Sequence, residues 1–98
     1  METITEVYLA FVEIPYFDKN KNEMRYHRYY VENRKPDGIT NELMAKPYSR
    51  KKDAENAAKW MHDNVRPNYY NGLDFTAKGK RCGVLRKRIT EVREETFL

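Results

Sequence analysis

The chain has 98 residues, which is enough for one small domain and too few for two. It carries 19 Lys and Arg against 15 Asp and Glu, so its formal net charge is +4. No apolar run approaches the ~20 residues of a membrane-spanning helix, and no signal peptide is recognised. We therefore expect a single domain over residues 1–98 and no membrane association.

The content of large hydrophobic residues is low, since Leu, Ile, Val and Phe together account for just under a fifth of the chain. That share borders on disordered composition, but disorder also requires a large net charge. Eight Tyr, four Met and one Trp supply further large side chains, enough for one thin core. The single cysteine, Cys82, has no partner for an internal disulfide, which favours a reducing, cytoplasmic location.

The first half of the chain predicts a hairpin. The segment from Ile4 to Ile14 has apolar residues on both parities, which is typical of a central strand. Pro15 is expected to end it, and polar turn residues follow at 18–22. A second, tyrosine-rich strand is predicted from about Met24 to Glu32.

A helix is the clearest element of the second half. Residues 34–38 form a Pro-Asp-Gly turn, and residues 39–47 fit either a loop or one short helical turn. Ser49 stands at the N-cap position, and Pro67 stops the helix one or two residues earlier. The apolar stripe between them is Ala54, Ala57, Ala58, Met61 and Val65.

A long loop over residues 69–80 leads to a last strand from about Cys82 to Val92. The order β-β-α-β predicts an α+β domain, with an antiparallel sheet of about three strands and one helix packed on one face.

Enzymatic signatures are weak. His27, His62 and Cys82 lack the paired spacing of metal ligands. A nucleophilic Cys82–His62 pair is conceivable, but a lone Cys is more often a small buried hydrophobe. Residues 78–83 contain Gly and Lys without the ending of a phosphate loop. We expect no catalytic residue, no metal and no cofactor, hence no enzyme.

Charge is distributed unevenly. Residues 1–23 have a net charge of −3 and the remaining 75 residues a net charge of +7. Arg50, Lys51 and Lys52 are expected in the first turn of the helix, where free N–H groups beside cations favour an anion. Arg86 and Arg88 form a second basic cluster in the last strand. The plain alternative is a set of solvated charges screened by salt.

The sheet face away from the helix is predicted to interleave Tyr and Arg, a combination suited to bases, phosphates or a protein interface. The side chains assigned to that face are Arg25, His27, Tyr29, Arg86 and Arg88. The side chains assigned to the helix side are Met24, Tyr26, Tyr30, Leu85 and Ile89. A shift of one residue would exchange these two sets, and the tyrosines alternatively cover a thin core. The candidate binding residues are Arg25, His27, Tyr29, Arg50, Lys51, Lys52, Arg86 and Arg88.

Three phrases carry a resemblance to known proteins: residues 49–54 (SRKKDA), residues 57–60 (AAKW) and residues 89–92 (ITEV). Together they resemble small phage-encoded β-β-α-β proteins. The phrase from Tyr48 to Trp60 is also similar to the helix of the N-terminal DNA-binding domain of phage-type integrases, which has three strands before it. The resemblance implies a phage or mobile-element origin, where such proteins commonly bind DNA or block host enzymes, including RNA polymerase and CRISPR effectors.

Two function classes follow. The first is a non-enzymatic nucleic-acid binder that contacts phosphates through the basic clusters at the helix start and the last strand. The second is a phage-encoded inhibitor that binds a host nucleic-acid enzyme, such as RNA polymerase, a nuclease or a CRISPR effector, by protein contact. A homodimer formed through an exposed sheet edge is a third possibility. Each would act in the cytoplasm, that of the host for a phage protein.

Overall fold

One antiparallel sheet and one helix make up the described part of the chain, which in this computed structural model is residues 2–66, 79–92, 94 and 96. The elements are β1 (Glu2–Asp18), β2 (Glu23–Val31), β3 (Ile39–Thr40), a 3₁₀ turn (Glu42–Met44), α1 (Lys51–Asn64) and β4 (Arg81–Val92). The strand order is β3-β2-β1-β4. The α+β prediction is confirmed, with four strands in place of about three. Most of the loop predicted for residues 69–80 lies outside the described residues.

β1 continues through Pro15, so the prediction that Pro15 ends the strand is wrong. The N–H of Tyr8 bonds Tyr48 on the side away from β4. Because N–H directions alternate along a strand, the Pro15 nitrogen points to the β4 side. There β4 begins only opposite Glu13, at Arg81, so the missing N–H costs no bond to β4.

The predicted hairpin is confirmed. β1 and β2 pair antiparallel from Phe11↔Tyr30 to Asp18↔Glu23. In the turn, Oδ1 of Asp18 accepts hydrogen bonds from the N–H groups of Asn20 and Lys21, the local pattern that makes Asp a turn residue.

The turn at residues 34–38 is also confirmed, because the Gly38 N–H donates to the Lys35 carbonyl at 2.8 Å. The following segment contains the short strand β3 and the single 3₁₀ turn. The Asn41 side chain begins that turn by accepting a hydrogen bond from the Met44 N–H at 3.1 Å. Three strands therefore precede α1, one more than predicted.

The helix ends where the sequence predicts and begins one residue later. Arg50, not Ser49, is the N-cap, with an extended backbone and no side-chain capping bond. Val65 is the C-cap, two residues before Pro67, and its N–H donates to the Met61 carbonyl at 2.9 Å. The predicted apolar stripe is buried throughout. No helix within the described residues is long and apolar enough to cross a membrane.

The main core lies between α1 and one face of the sheet, where the small alanines let the helix approach closely. The strand side chains buried there are Ala10, Val12, Ile14 and Val31. A second, smaller cluster of Leu9, Tyr30 and Ala45 lies on the face away from α1, which we call the open face. Ala45 follows the 3₁₀ turn, so that segment covers part of the open face.

The predicted assignment of residues to the two faces is wrong and is in fact reversed. Tyr29 pairs with Val12 and Val31 is fully buried in the main core, so this parity of β2 faces α1. On β4, Leu85 packs in the open-face cluster. The residues that consequently lie on the helix side are Arg25, His27, Tyr29, Arg86 and Arg88. Both parities of β1 and β2 carry large apolar side chains, so periodicity alone did not distinguish the faces.

β1 is longer than either ladder that it joins. It pairs with β4 over Glu2 to Glu13 and with β2 over Phe11 to Asp18. Each end of the sheet is therefore a two-stranded ribbon, and the molecule measures 59 × 31 × 21 Å. We call the ribbon of residues 14–27 the hairpin arm.

Candidate nucleic-acid interface

A row of side chains crosses the helix side of the sheet beside the start of α1. Tyr8 and Tyr48 exchange two backbone hydrogen bonds, at 2.8 and 2.9 Å, which set their side chains next to each other. On the other side of Tyr8, Arg86 is its cross-strand partner on β4. We call Arg34, Lys46, Lys51, Arg86 and the two tyrosines the basic band.

Two shallow concavities lie along the basic band. The first has a volume of about 230 Å³ and is lined by Tyr8, Lys51, Val84 and Arg86. The second has a volume of about 500 Å³, and its lining residues are Asn33, Arg34, Lys46, Tyr48 and Asp53. In each, cations stand beside a half-buried tyrosine. That combination suits a phosphate together with the flat ring of a base.

Several of the predicted binding cations are neutralised within the chain. Arg50 donates to Asp53 at 3.0 Å, and Arg88 donates to Glu6 at 2.9 Å. Arg25 donates to Glu23 at 2.9 Å. These exposed pairs compete with any external anion for the same guanidinium groups.

Other cations have no such partner. Among the described residues, no carboxylate lies within 4.0 Å of Arg34, Lys46, Lys52 or Arg86. Lys46 instead lies over the Tyr48 ring, with Nζ 5.2 Å from the ring centroid. The Lys51 ammonium is 3.9 Å from Glu55, a long and exposed pair. The basic band and Lys52 therefore carry available positive charge. Among the other described cations, Lys19, Lys21, Lys35, Lys59 and Arg66 likewise have no carboxylate within 4.0 Å.

The cluster of three cations predicted in the first helical turn does not form. Arg50 lies before that turn as the N-cap, and Asp53 completes it. The first turn therefore contains two lysines and one aspartate, and the Arg50 guanidinium is engaged by that aspartate. The positive charge at this end of the molecule comes instead from several elements that meet there.

Arg25, His27 and Tyr29 lie apart from the basic band, toward the hairpin arm. His27 pairs with Ile14, six residues along β1 from Tyr8, a separation of about 20 Å at the rise of a strand. The His27 ring is 4.5 Å from that of Tyr16 and 6.2 Å from that of Tyr29, measured between centroids. Burial raises the pKa of Tyr29. The eight predicted site residues thus share one side of the sheet without forming one site.

The open face holds a charged cluster that the sequence analysis missed. Glu13 is 8 % exposed and accepts hydrogen bonds from Arg28 Nε at 3.0 Å and Arg81 Nε at 2.6 Å. The Arg28 guanidinium lies 3.8 Å from the Phe11 ring centroid, and that of Arg81 lies 3.7 Å from the Tyr26 ring centroid. The available signal for this cluster was that Glu13 is the one acid between Val7 and Phe17.

Burial raises the pKa of the Glu13 carboxyl, but hydrogen bonds from Arg81 and Arg28 and their positive charges act in the opposite direction. Together they hold the pKa of Glu13 below its ordinary value of 4.5. The carboxylate is therefore ionised at neutral pH and organises both arginines across three strands.

Cys82 and His62 line one concavity beside the end of α1, but they do not contact each other as a nucleophile and base. Nδ1 of His62 lies 2.9 Å from Asp63, and its Nε2 lies 3.0 Å from the Lys80 carbonyl. Burial raises the pKa of the Cys82 thiol, which favours the unreactive protonated form. Within the described residues, no group of three His, Cys, Asp or Glu is placed to hold a metal ion.

Comparison with known protein families, curated proteins and solved structures finds no match to this chain. Its function is therefore inferred from the geometry of the described residues. Two features bear on that inference: the basic band on the helix side, and the apolar and charged surface of the open face.

Proposed function

We propose that this is a non-enzymatic nucleic-acid-binding protein, of phage or mobile-element origin, that contacts phosphates through the basic band. The observation that carries the proposal is the position of Arg86 and Lys51 around one concavity beside the Tyr8 ring. Arg86 has no carboxylate partner among the described residues, so its planar fork of donors is available to a phosphate. Tyr8 offers a ring against which a base or sugar packs.

The number of available cations sets the expected strength of binding. Arg34, Lys46, Lys51 and Arg86 would neutralise about four phosphates, and the internally paired arginines would contribute little. With four contacts on duplex DNA, the slope of log affinity against log salt should be about −3 to −4. The modest net charge of +4 agrees with a contact of this limited size.

The test is a titration of a fluorescently labelled duplex, followed by anisotropy, between about 50 and 200 mM salt. Replacing Arg86 and Lys46 with glutamine removes one cation from each concavity. We expect the salt slope of the R86Q/K46Q variant to fall by about two and its low-salt affinity to fall at least tenfold.

The matched control is K19Q/K21Q, which removes the same charge from the exposed hairpin turn. Its salt slope should stay within about 0.5 of the unmodified protein, because long-range charge alone contributes little beyond a Debye length. Equal losses in both variants, or no binding by the unmodified protein at low salt, would contradict the proposal.

The alternative function, inhibition of a host nucleic-acid enzyme by protein contact, remains a prediction. A pull-down after nuclease treatment distinguishes it from nucleic-acid binding. A nucleic-acid binder should lose its cellular partners on that treatment. A stoichiometric protein that survives it, and is retained by the R86Q/K46Q variant, would favour an inhibitor instead.

A further inference from the structure

Exposed apolar side chains are concentrated on the open face. Seven large hydrophobic residues of the described chain are exposed; four of them have the parity of the open face, and two belong to the 3₁₀ turn beside it. These six are Phe17, Met24, Tyr26, Leu43, Met44 and Ile89. Only Ile4, 67 % exposed, has the parity of the helix side. Large exposed hydrophobic residues gathered on one face point to an interaction site more often than residues scattered singly over the surface do.

Backbone register and the 3₁₀ turn place these side chains in separate groups along the open face, with Ile89 opposite Thr5 near its far end. Phe17 pairs directly with Met24, and Tyr26 follows two residues later on the same face of β2. Leu43 and Met44 belong to the 3₁₀ turn. Ala45, next in the chain, packs against Leu9 and Tyr30 on the open face. The open face thus carries one apolar group on the hairpin arm and another on the segment that covers the sheet, with the Glu13 cluster between them.

Charges on the open face are largely compensated within it. Glu13 is shared by Arg28 and Arg81, as described above. Glu42 accepts from Lys87 at 3.5 Å and from the Tyr30 hydroxyl at 3.4 Å. The two acids and three cations of these contacts have a net charge of +1. In contrast, Arg34, Lys46 and Arg86 of the basic band have no carboxylate partner among the described residues. A nucleic-acid surface would require available cations, so this face is suited to an apolar partner of low net charge.

We infer that the open face binds a second copy of this chain, face to face about a two-fold axis. A surface whose charges are already internally paired meets its own copy without a strong like-charge penalty, which an isologous interface requires. Aromatic residues, Met and Arg are also the residue types enriched in protein interfaces.

The available area is sufficient for such a dimer. The strands contain 17, 9, 2 and 12 residues. At a rise of about 3.3 Å per residue and a spacing of about 4.8 Å between strands, one face of the sheet has an area of about 600 Å². The segment with the 3₁₀ turn covers part of these strands and replaces their surface with its own, which includes Leu43 and Met44. A standard interface buries about 800 Å² per partner, with about 600 Å² at its lower limit. In such a dimer the segments that cover part of each open face lie between the two sheets, and the helices and basic bands lie on the outer sides.

The experiment is the molar mass of the full chain, treated with nuclease, by sedimentation equilibrium up to about 100 μM. The unmodified protein should have twice its chain mass of 11.8 kDa, and about 1 M NaCl should not dissociate it, because the contact is apolar. The M24E/L43E variant places a carboxylate on each of two elements of the open face and should be monomeric. The single variants M24E and L43E should each weaken the dimer at least about tenfold.

The matched control is I4E, the same kind of substitution on the helix side, which should leave the dimer intact. Circular dichroism checks that each variant is folded, and Met24 and Leu43 are 62 % and 87 % exposed, so neither supports the core. A monomeric unmodified protein at all concentrations would overturn the inference. So would a dimer that I4E disrupts as strongly as M24E/L43E does. Nucleic-acid binding depends on the opposite side, so either proposal can fail without the other.

Discussion

Glu13 shows how a single residue organises the open face. It is the one charged side chain that is buried within the described chain, and it lies on β1 between its cross-strand neighbours Arg28 and Arg81. Each guanidinium uses Nε for the carboxylate and rests on an aromatic ring, so three strands are joined through one acid. Charge-assisted hydrogen bonds of this kind are among the stronger polar contacts in proteins.

Replacing Glu13 with glutamine should lower the free energy of unfolding by about 1–2 kcal/mol at pH 7, because two guanidiniums lose a charged acceptor while remaining partly hydrated. The pKa of Glu13 is lower in the folded than in the unfolded state. The contribution of Glu13 to the free energy of unfolding is therefore complete above about pH 4.5. It is lost as the pH falls through the lowered pKa of the folded state.

Urea unfolding of the unmodified protein and E13Q should thus differ most at neutral pH and converge in acid. The control is E23Q, which removes an exposed acid paired with Arg25, and it should cost less than about 0.5 kcal/mol. A difference between the unmodified protein and E13Q that grows below pH 4.5 would contradict the assigned direction of the pKa shift.

The sequence places Glu13 among apolar residues, but it does not identify the partners of that acid. Arg28 is 15 residues away and Arg81 is 68 residues away along the chain. Which of the many arginines reach Glu13 depends on strand order and register, and no local pattern encodes these.

The helix α1 starts one residue later than the sequence predicts. Ser49 has the residue type preferred for an N-cap, and the structure instead uses Arg50, whose side chain bonds Asp53 rather than a backbone N–H. The Tyr8–Tyr48 backbone bridge holds the incoming chain, so tertiary contact determines where the first helical turn begins.

This boundary is testable by thermal unfolding of two variants. Ser49→Ala should change stability by less than about 0.5 kcal/mol, because Ser49 is exposed and does not cap the helix. Arg50→Asn should stabilise the protein by about 0.5–1 kcal/mol by supplying a side-chain acceptor to the free N–H groups. A loss of about 1 kcal/mol in Ser49→Ala would show that Ser49 is the cap after all.

At the scale of the whole molecule, the sheet separates two surfaces of different character. The helix side carries the basic band with available cations, and the open face carries compensated charges and exposed hydrophobic residues. Because the two surfaces share no side chain, substitutions on one should not alter the binding by the other.

We expect M24E/L43E to bind a short labelled duplex within about threefold of the unmodified protein per protomer, allowing for the two added negative charges. Conversely, R86Q/K46Q should retain the sedimentation mass of the unmodified protein. The measurements are the anisotropy titration and sedimentation equilibrium already described. Loss of the dimer in R86Q/K46Q would show that the two surfaces are coupled.

Turn residues and short-range periodicity act locally, and they were enough to predict the α+β class, the first hairpin, the alanine stripe of α1 and the extent of β4. Which parity of β2 and β4 faces the helix depends on the folded chain, since both parities carry large side chains and the burial of Val31 selects one. It also decided that β1 continues through Pro15, where no strand lies opposite the missing N–H. The distinction between compensated and available cations likewise required the folded chain, because ion pairs such as Glu6–Arg88 join residues far apart in sequence.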